Sequence, residues 1–96
     1  MHEMRNLEFK ETITNTFLKT VSAFSNYDGG VIFFGMDDNG NAKGLSDVRQ
    51  SCLDIENKIN DSISPQPDYT LEIQNDNMIK LTIKSGDQKP YLYKSK

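Results

Sequence analysis

The sequence predicts an α+β fold, a mainly antiparallel sheet with two helices packed on one face. Three observations point there. Apolar residues recur at helical spacing in two separate stretches, Thr12 to Tyr27 and Ser46 to Ser64. Val31 to Met36 is nearly all apolar and β-prone. Tyr69, Leu71 and Ile73, then Ile79, Leu81 and Ile83, alternate with polar residues on either side of Asn75-Asp76-Asn77.

The elements follow in order. Leu7 and Phe9 begin a short apolar–polar alternation, read as an opening strand. Ile13, Phe17, Leu18, Val21 and Phe24 form one helical stripe, with Thr12 or Thr14 as its cap. Asn26 to Gly30 stop that helix, because asparagine and glycine tolerate the left-handed conformation. Val31 to Met36 then reads as a central strand buried on both faces. Asp38-Asn39-Gly40-Asn41 turns the chain into a short strand at Ala42 to Gly44. Ser46 or Asp47 caps the second helix, whose inner face carries Val48, Cys52, Ile55, Ile59 and Ile63. Pro65 and Pro67 end it. A β-hairpin follows, with a loop of three or four residues at Asn75-Asp76-Asn77, and a last strand starts near Pro90-Tyr91-Leu92-Tyr93.

Ninety-six residues make one domain, spanning 1–96. The final residues, Lys89 to Lys96, read as a strand interrupted in mid-course, so a longer parent protein is expected. No apolar run approaches a membrane span, and the start lacks the order of a signal peptide. A single cysteine, Cys52, allows no internal disulfide, which fits a cytoplasmic location. The charge is uneven. Residues 1–79 carry 13 acidic and 6 basic side chains, whereas 80–96 carry five lysines against Asp87. Only this tail offers the basic face of a nucleic-acid binder; a solvated lysine edge that protects a strand from pairing is the other reading.

Chemistry that needs a nucleophile finds little support. The only histidine is His2, and Cys52 lies on an apolar helix face. Gly29, Gly30 and Gly35 lack phosphate-loop spacing, and Asp37-Asp38-Asn39-Gly40 lacks the ligand alternation of a calcium loop. Carboxylates are the better candidates. If the opening and central strands are neighbours, Glu3, Glu8 and Asp37 or Asp38 could converge on magnesium or manganese, with Lys10 neutralising a phosphate. Alternatively, Glu8 and Lys10 form an exposed pair and the aspartates start a turn.

Several of these segments together form a recognisable pattern. It comprises Leu7-Glu8-Phe9-Lys10-Glu11, Lys19 to Asn26, Gly29-Gly30, Gly35, Asp37-Asp38-Asn39-Gly40, Gly44 and Lys89-Pro90-Tyr91. Over about residues 3–93 it resembles the Schlafen AlbA-type domain, also called divergent AlbA. The resemblance implies an α+β fold and a DNA-binding role at the front of bacterial transcriptional regulators or RecG-like helicase relatives. In Schlafen members, two glutamates five residues apart and one aspartate are associated with metal-dependent RNA cleavage. Glu3 and Glu8 have that separation, Asp37 and Asp38 stand where the aspartate does, and Met4 replaces the usual serine. Eukaryotic members pair two lobes into a basic channel, whereas this is one acidic lobe.

The leading expectation is therefore a nucleic-acid-binding domain that needs no cofactor, contacting the backbone through Lys10, Lys84, Lys89 and Lys94. Tyr91 is expected either to stack on bases beside those lysines or to pack against the sheet, and Tyr27 lies in the helix-ending turn. Asn26, Gly29, Gly30 and Gly35 are read as turn residues. The alternatives are a magnesium- or manganese-dependent endoribonuclease with Glu3, Glu8, Asp37 and Asp38 as catalytic residues and Glu3, Glu8 and Asp38 as metal ligands, or a dimerisation module.

Overall fold

Two strands that flank a helix lie side by side in the computed structural model, which describes residues 6–94. β1 (Leu7–Lys10) is followed by α1 (Phe17–Asn26) and then β2 (Gly30–Phe34). The helix carries the chain back, so β1 and β2 pair in parallel, with Glu8 opposite Ile32 and Lys10 opposite Phe34. α2 (Val48–Ser62), a two-residue strand β3 (Ile63–Ser64), the β4 (Tyr69–Gln74) and β5 (Met78–Ile83) hairpin, and β6 (Leu92–Tyr93) complete the chain. The main sheet has the order β1-β2-β5-β4, and its other two pairings are antiparallel. β3 and β6 form a separate two-stranded ladder. The α+β class and the mainly antiparallel sheet are as the sequence predicts.

Side-chain alternation decides which sheet face meets the helices. Ile32 and Phe34 from β2 join Ile79, Leu81 and Ile83 from β5 on one face. Phe17, Leu18, Val21 and Phe24 from α1, with Ile55 and Ile59 from α2, cover them in one continuous core. The Phe17 and Phe34 rings meet edge to face at 5.2 Å. Val31 and Phe33, which point the other way, stay half-buried. β2 is thus central in the sheet but not buried on both faces.

Other elements differ from expectation for local reasons. α1 begins at Phe17 rather than Thr12, and its N-cap Thr16 makes no side-chain capping bond. Threonine and asparagine at 12–16 favour turns over a helix start, and Thr14 and Thr16 bond one another at 2.9 Å instead. Ala42 makes only an isolated bridge to Met36, so no strand forms at 42–44. α2 is capped by Asp47, whose carboxylate accepts from Gln50 N–H at 3.1 Å. That helix stops at Ser62, because Ile63 and Ser64 are claimed by β6. The β4–β5 turn matches its prediction: Asp76 and Asn77 adopt positive φ of 64° and 57°, a region that these residue types tolerate.

Candidate nucleic-acid interface

Loop 84–91 carries two of the expected lysines and is fixed by side chains of α1. Asn26 does most of this. Its Oδ1 accepts from Tyr91 N–H at 2.6 Å and its Nδ2 donates to Tyr91 C=O at 2.8 Å. Ser22 Oγ donates to the same carbonyl at 2.7 Å. A helix side chain therefore supplies the pair of bonds that a neighbouring strand would otherwise make. At the start of the loop, Ser85 Oγ donates to Tyr27 C=O at 2.5 Å and Gly86 N–H to Ser25 C=O at 2.8 Å. The Tyr91 ring closes over Gly86, where any Cβ would collide with it, and its hydroxyl accepts from Gln88 N–H at 3.1 Å.

This anchoring leaves Lys84 and Lys89 exposed at the surface. It also removes Tyr91 from the expected interface. Only 3% of Tyr91 is exposed, because its ring belongs to the core, so packing rather than base stacking is its role. Tyr27 is the exposed aromatic here, at 68%. Lys94 lies past β6, where its N–H bonds Ser62 C=O at the end of α2. Lys10 is at the other end of the sheet: Gly35 and Met36 N–H both bond its carbonyl. Gly30 pairs with Ile83 and Phe34 with Ile79, so β2 separates Lys10 from Lys84 by roughly 15 Å. The four expected lysines do not form one patch.

The turn residues explain how Tyr27 meets the loop. Gly29 has φ +80°, and a Cβ there would sit 2.6 Å from Ile83 C=O and 3.1 Å from Ser85 N. Gly30 lets the Phe24 ring approach the start of β2. Gly35, also at positive φ, accepts from Lys43 and Gly44 N–H at the far end of β2.

The carboxylates gather less closely. β1 and β2 are neighbours, as the metal reading requires. Glu8 lies half-buried on β1 with Oε2 3.9 Å from Lys10 Nζ, and among the described residues that oxygen has no hydrogen-bond partner. Asp37 is occupied by its own turn: its Oδ1 accepts from Asn39 and Asn41 N–H, each at 2.9 Å, and Lys43 stands 3.9 Å away. Asp38 is exposed in that turn. Glu3 lies outside the described residues, among which no three His, Cys, Asp or Glu side chains are grouped to hold a metal.

The Asn41 N–H, together with the Asn41 side chain, Asn39 N–H and Lys43, holds the Asp37 carboxyl below its ordinary range. A depressed folded-state pKa stabilises the fold above the unfolded value and loses that contribution as pH falls through the folded value. Asp37→Asn is thus expected to lower stability at neutral pH, with the gap to wild type narrowing below about pH 4. Urea melts across that range check it. Cys52, packed half-buried against the core, has its thiol pushed up by burial and by Glu56, as suits a packing residue rather than a nucleophile.

The clamp by Ser22 and Asn26 was not visible in the sequence. Sixty-five residues separate Asn26 from Tyr91, and the only signal, an asparagine at a helix end, has a sufficient local explanation in helix termination.

Among the described residues no helix is long and apolar enough to cross a membrane. No curated protein matches the chain. Among solved structures, the chain is similar to the N-terminal domain of a RecG-related protein from Nitrosomonas europaea, whose name proposes an ATP-dependent DNA helicase. The TM-score is 0.65 at 21% identity, over 94% of this chain and 69% of that one, a likeness of fold. The family model described as Schlafen, AlbA_2 matches residues 3–96, nearly the whole sequence that carries the β1–α1–β2 unit and the clamped loop. The chain belongs to the Schlafen AlbA_2 family.

Proposed function

We propose that this chain is a nucleic-acid-binding domain that holds the phosphate backbone through loop 84–91. The observation that carries the reading is the clamp of Ser22 and Asn26 on Tyr91, which presents Lys84 and Lys89 on a fixed frame beside exposed Tyr27. Backbone contacts of this kind position a nucleic acid without reading its bases. Family membership and the RecG-related neighbour support the same class, and DNA is the first ligand to try. In its cell the domain would serve a larger bacterial protein, a transcriptional regulator or a helicase relative, in the cytoplasm.

The test is charge reversal. Lys84→Glu with Lys89→Glu is expected to abolish the mobility shift of a short DNA, with the fold intact by circular dichroism. Both side chains are exposed, so the fold should lose less than about 0.5 kcal/mol. Unchanged affinity in the double variant would remove loop 84–91 from the interface. Binding should also ignore a chelator, since no metal takes part in this reading.

One observation favours a second reading. The enclosed Glu8 Oε2, without a hydrogen-bond partner among the described residues, is the kind of oxygen a magnesium or manganese ion would take, with Lys10 beside it for a phosphate. On that reading Glu3, Glu8 and Asp38 are the metal ligands of an endoribonuclease, and manganese binding disappears in Glu8→Gln.

A further inference from the structure

Below Tyr27, at the corner where α1 runs into β2, is a cavity of about 470 Å³. Among the described residues it is lined by Asn6, Ala23, Phe24, Tyr27, Asp28 and Gly29. We infer that this cavity accepts an unpaired nucleobase, so that the ligand of the domain is single-stranded nucleic acid. The inference rests on the nucleic-acid reading above and names the substrate class of that same surface.

Size and surface chemistry agree. The volume falls within the roughly 300–1,000 Å³ of small-ligand sites, ample for one base and its sugar. Phe24 and Ala23 give an apolar surface, and the exposed Tyr27 ring offers a face on which any base can stack. The loop that carries Lys84 and Lys89 adjoins the cavity at Gly29. A Cβ at Gly29 would be 3.1 Å from Ser85 N and 3.3 Å from the Lys84 carbonyl carbon, so the cavity wall abuts the lysine loop directly. Ser85 Oγ, bonded to Tyr27 C=O, ties the stacking residue to the same loop. A base stacked in a duplex cannot reach the cavity without leaving its partner, which costs a few kcal/mol. The site therefore discriminates by strandedness and not by base identity.

The test is a fluorescence-anisotropy titration of the whole chain with a labelled single-stranded DNA dodecamer and with the same sequence as a duplex. Wild type is expected to prefer the single strand at least tenfold. Tyr27→Ala, which removes the ring, and Ala23→Leu, which fills the cavity from an exposed helix position, should each cost the single strand roughly 5- to 100-fold and leave the duplex unchanged. Tyr27→Phe should retain wild-type affinity. Equal affinity for both forms, with both variants behaving as wild type while Lys84→Glu still weakens binding, would overturn the cavity but leave the loop reading intact. If wild type binds neither DNA nor the equivalent RNA, both readings fall together.

Discussion

Asn26→Leu is expected to destabilise the protein by about 2–4 kcal/mol, far more than Ser22→Ala. Leucine matches asparagine in shape but ends both bonds to Tyr91, the 2.6 Å acceptance from N–H and the 2.8 Å donation to C=O. A backbone N–H that loses its partner in a part-buried place costs about 1–3 kcal/mol, and the lost bond to the carbonyl adds roughly 1. Ser22→Ala removes only one of the two donors to Tyr91 C=O, so that carbonyl keeps Asn26 and the loss is about 1 kcal/mol. For a domain of this size the Asn26 change corresponds to a fall of roughly 10–30 °C in melting temperature. Thermal melts of the two variants check the order. Small, equal effects would mean that the loop is held by Tyr91 ring packing alone.

Phe17→Ala is expected to cost about 3–5 kcal/mol, the largest single effect in the chain. Phe17 is fully buried at the first turn of α1 and meets Phe34 of the central strand edge to face. Alanine leaves a void between the helix layer and β2 that the surrounding Leu18, Ile55 and Ile59 would fill only in part. Natural domains have a total stability of only about 5–15 kcal/mol, so the variant should be partly unfolded well below the wild-type melting temperature. Tyr27→Ala is the matching control, an exposed aromatic at the opposite end of the same helix whose loss should cost little. The contrast separates the aromatic that builds the fold from the one left at the surface.

The same distinction marks what the sequence could and could not reveal. Periodicity located both helices and the paired strands because burial of one face imposes it: Phe17, Val21 and Phe24 are core, and so are Ile79, Leu81 and Ile83. Periodicity is silent on order and direction. That β1 pairs with β2 in parallel follows from the length of the intervening helix, but that β5 rather than β4 lies beside β2 has no local cause. β3 was missed because Ile63 continues the helical stripe by spacing, while a distant partner, Tyr93, draws it into a strand.

The site divides along the same line. The exposure of Lys84 and Lys89 was legible from their charge, and Gly29 from the turn it had to make. Tyr91 was ambiguous, since a tyrosine in an alternating run has the same local context whether its ring is core or exposed. What buried it was the bare backbone of Gly86 and the amide of Asn26, both set by tertiary approach. Lys10 joined the lysines on charge alone, and strand direction put it at the opposite end of the sheet. Asp37 shows the converse: its turn reading was available from Asp37-Asp38-Asn39-Gly40, and the hydrogen bonds to Asn39 and Asn41 follow it.

The central claim is that loop 84–91 binds nucleic acid through phosphate contacts, and its most direct test is the salt dependence of single-stranded DNA binding. Log affinity against log salt concentration should fall with a slope of about −0.7 for each phosphate contacted. Two contacts, from Lys84 and Lys89, predict a slope near −1.4, and Lys84→Glu should bring it closer to zero by about that one increment. A slope near zero, or one that Lys84→Glu leaves unchanged, would contradict the account.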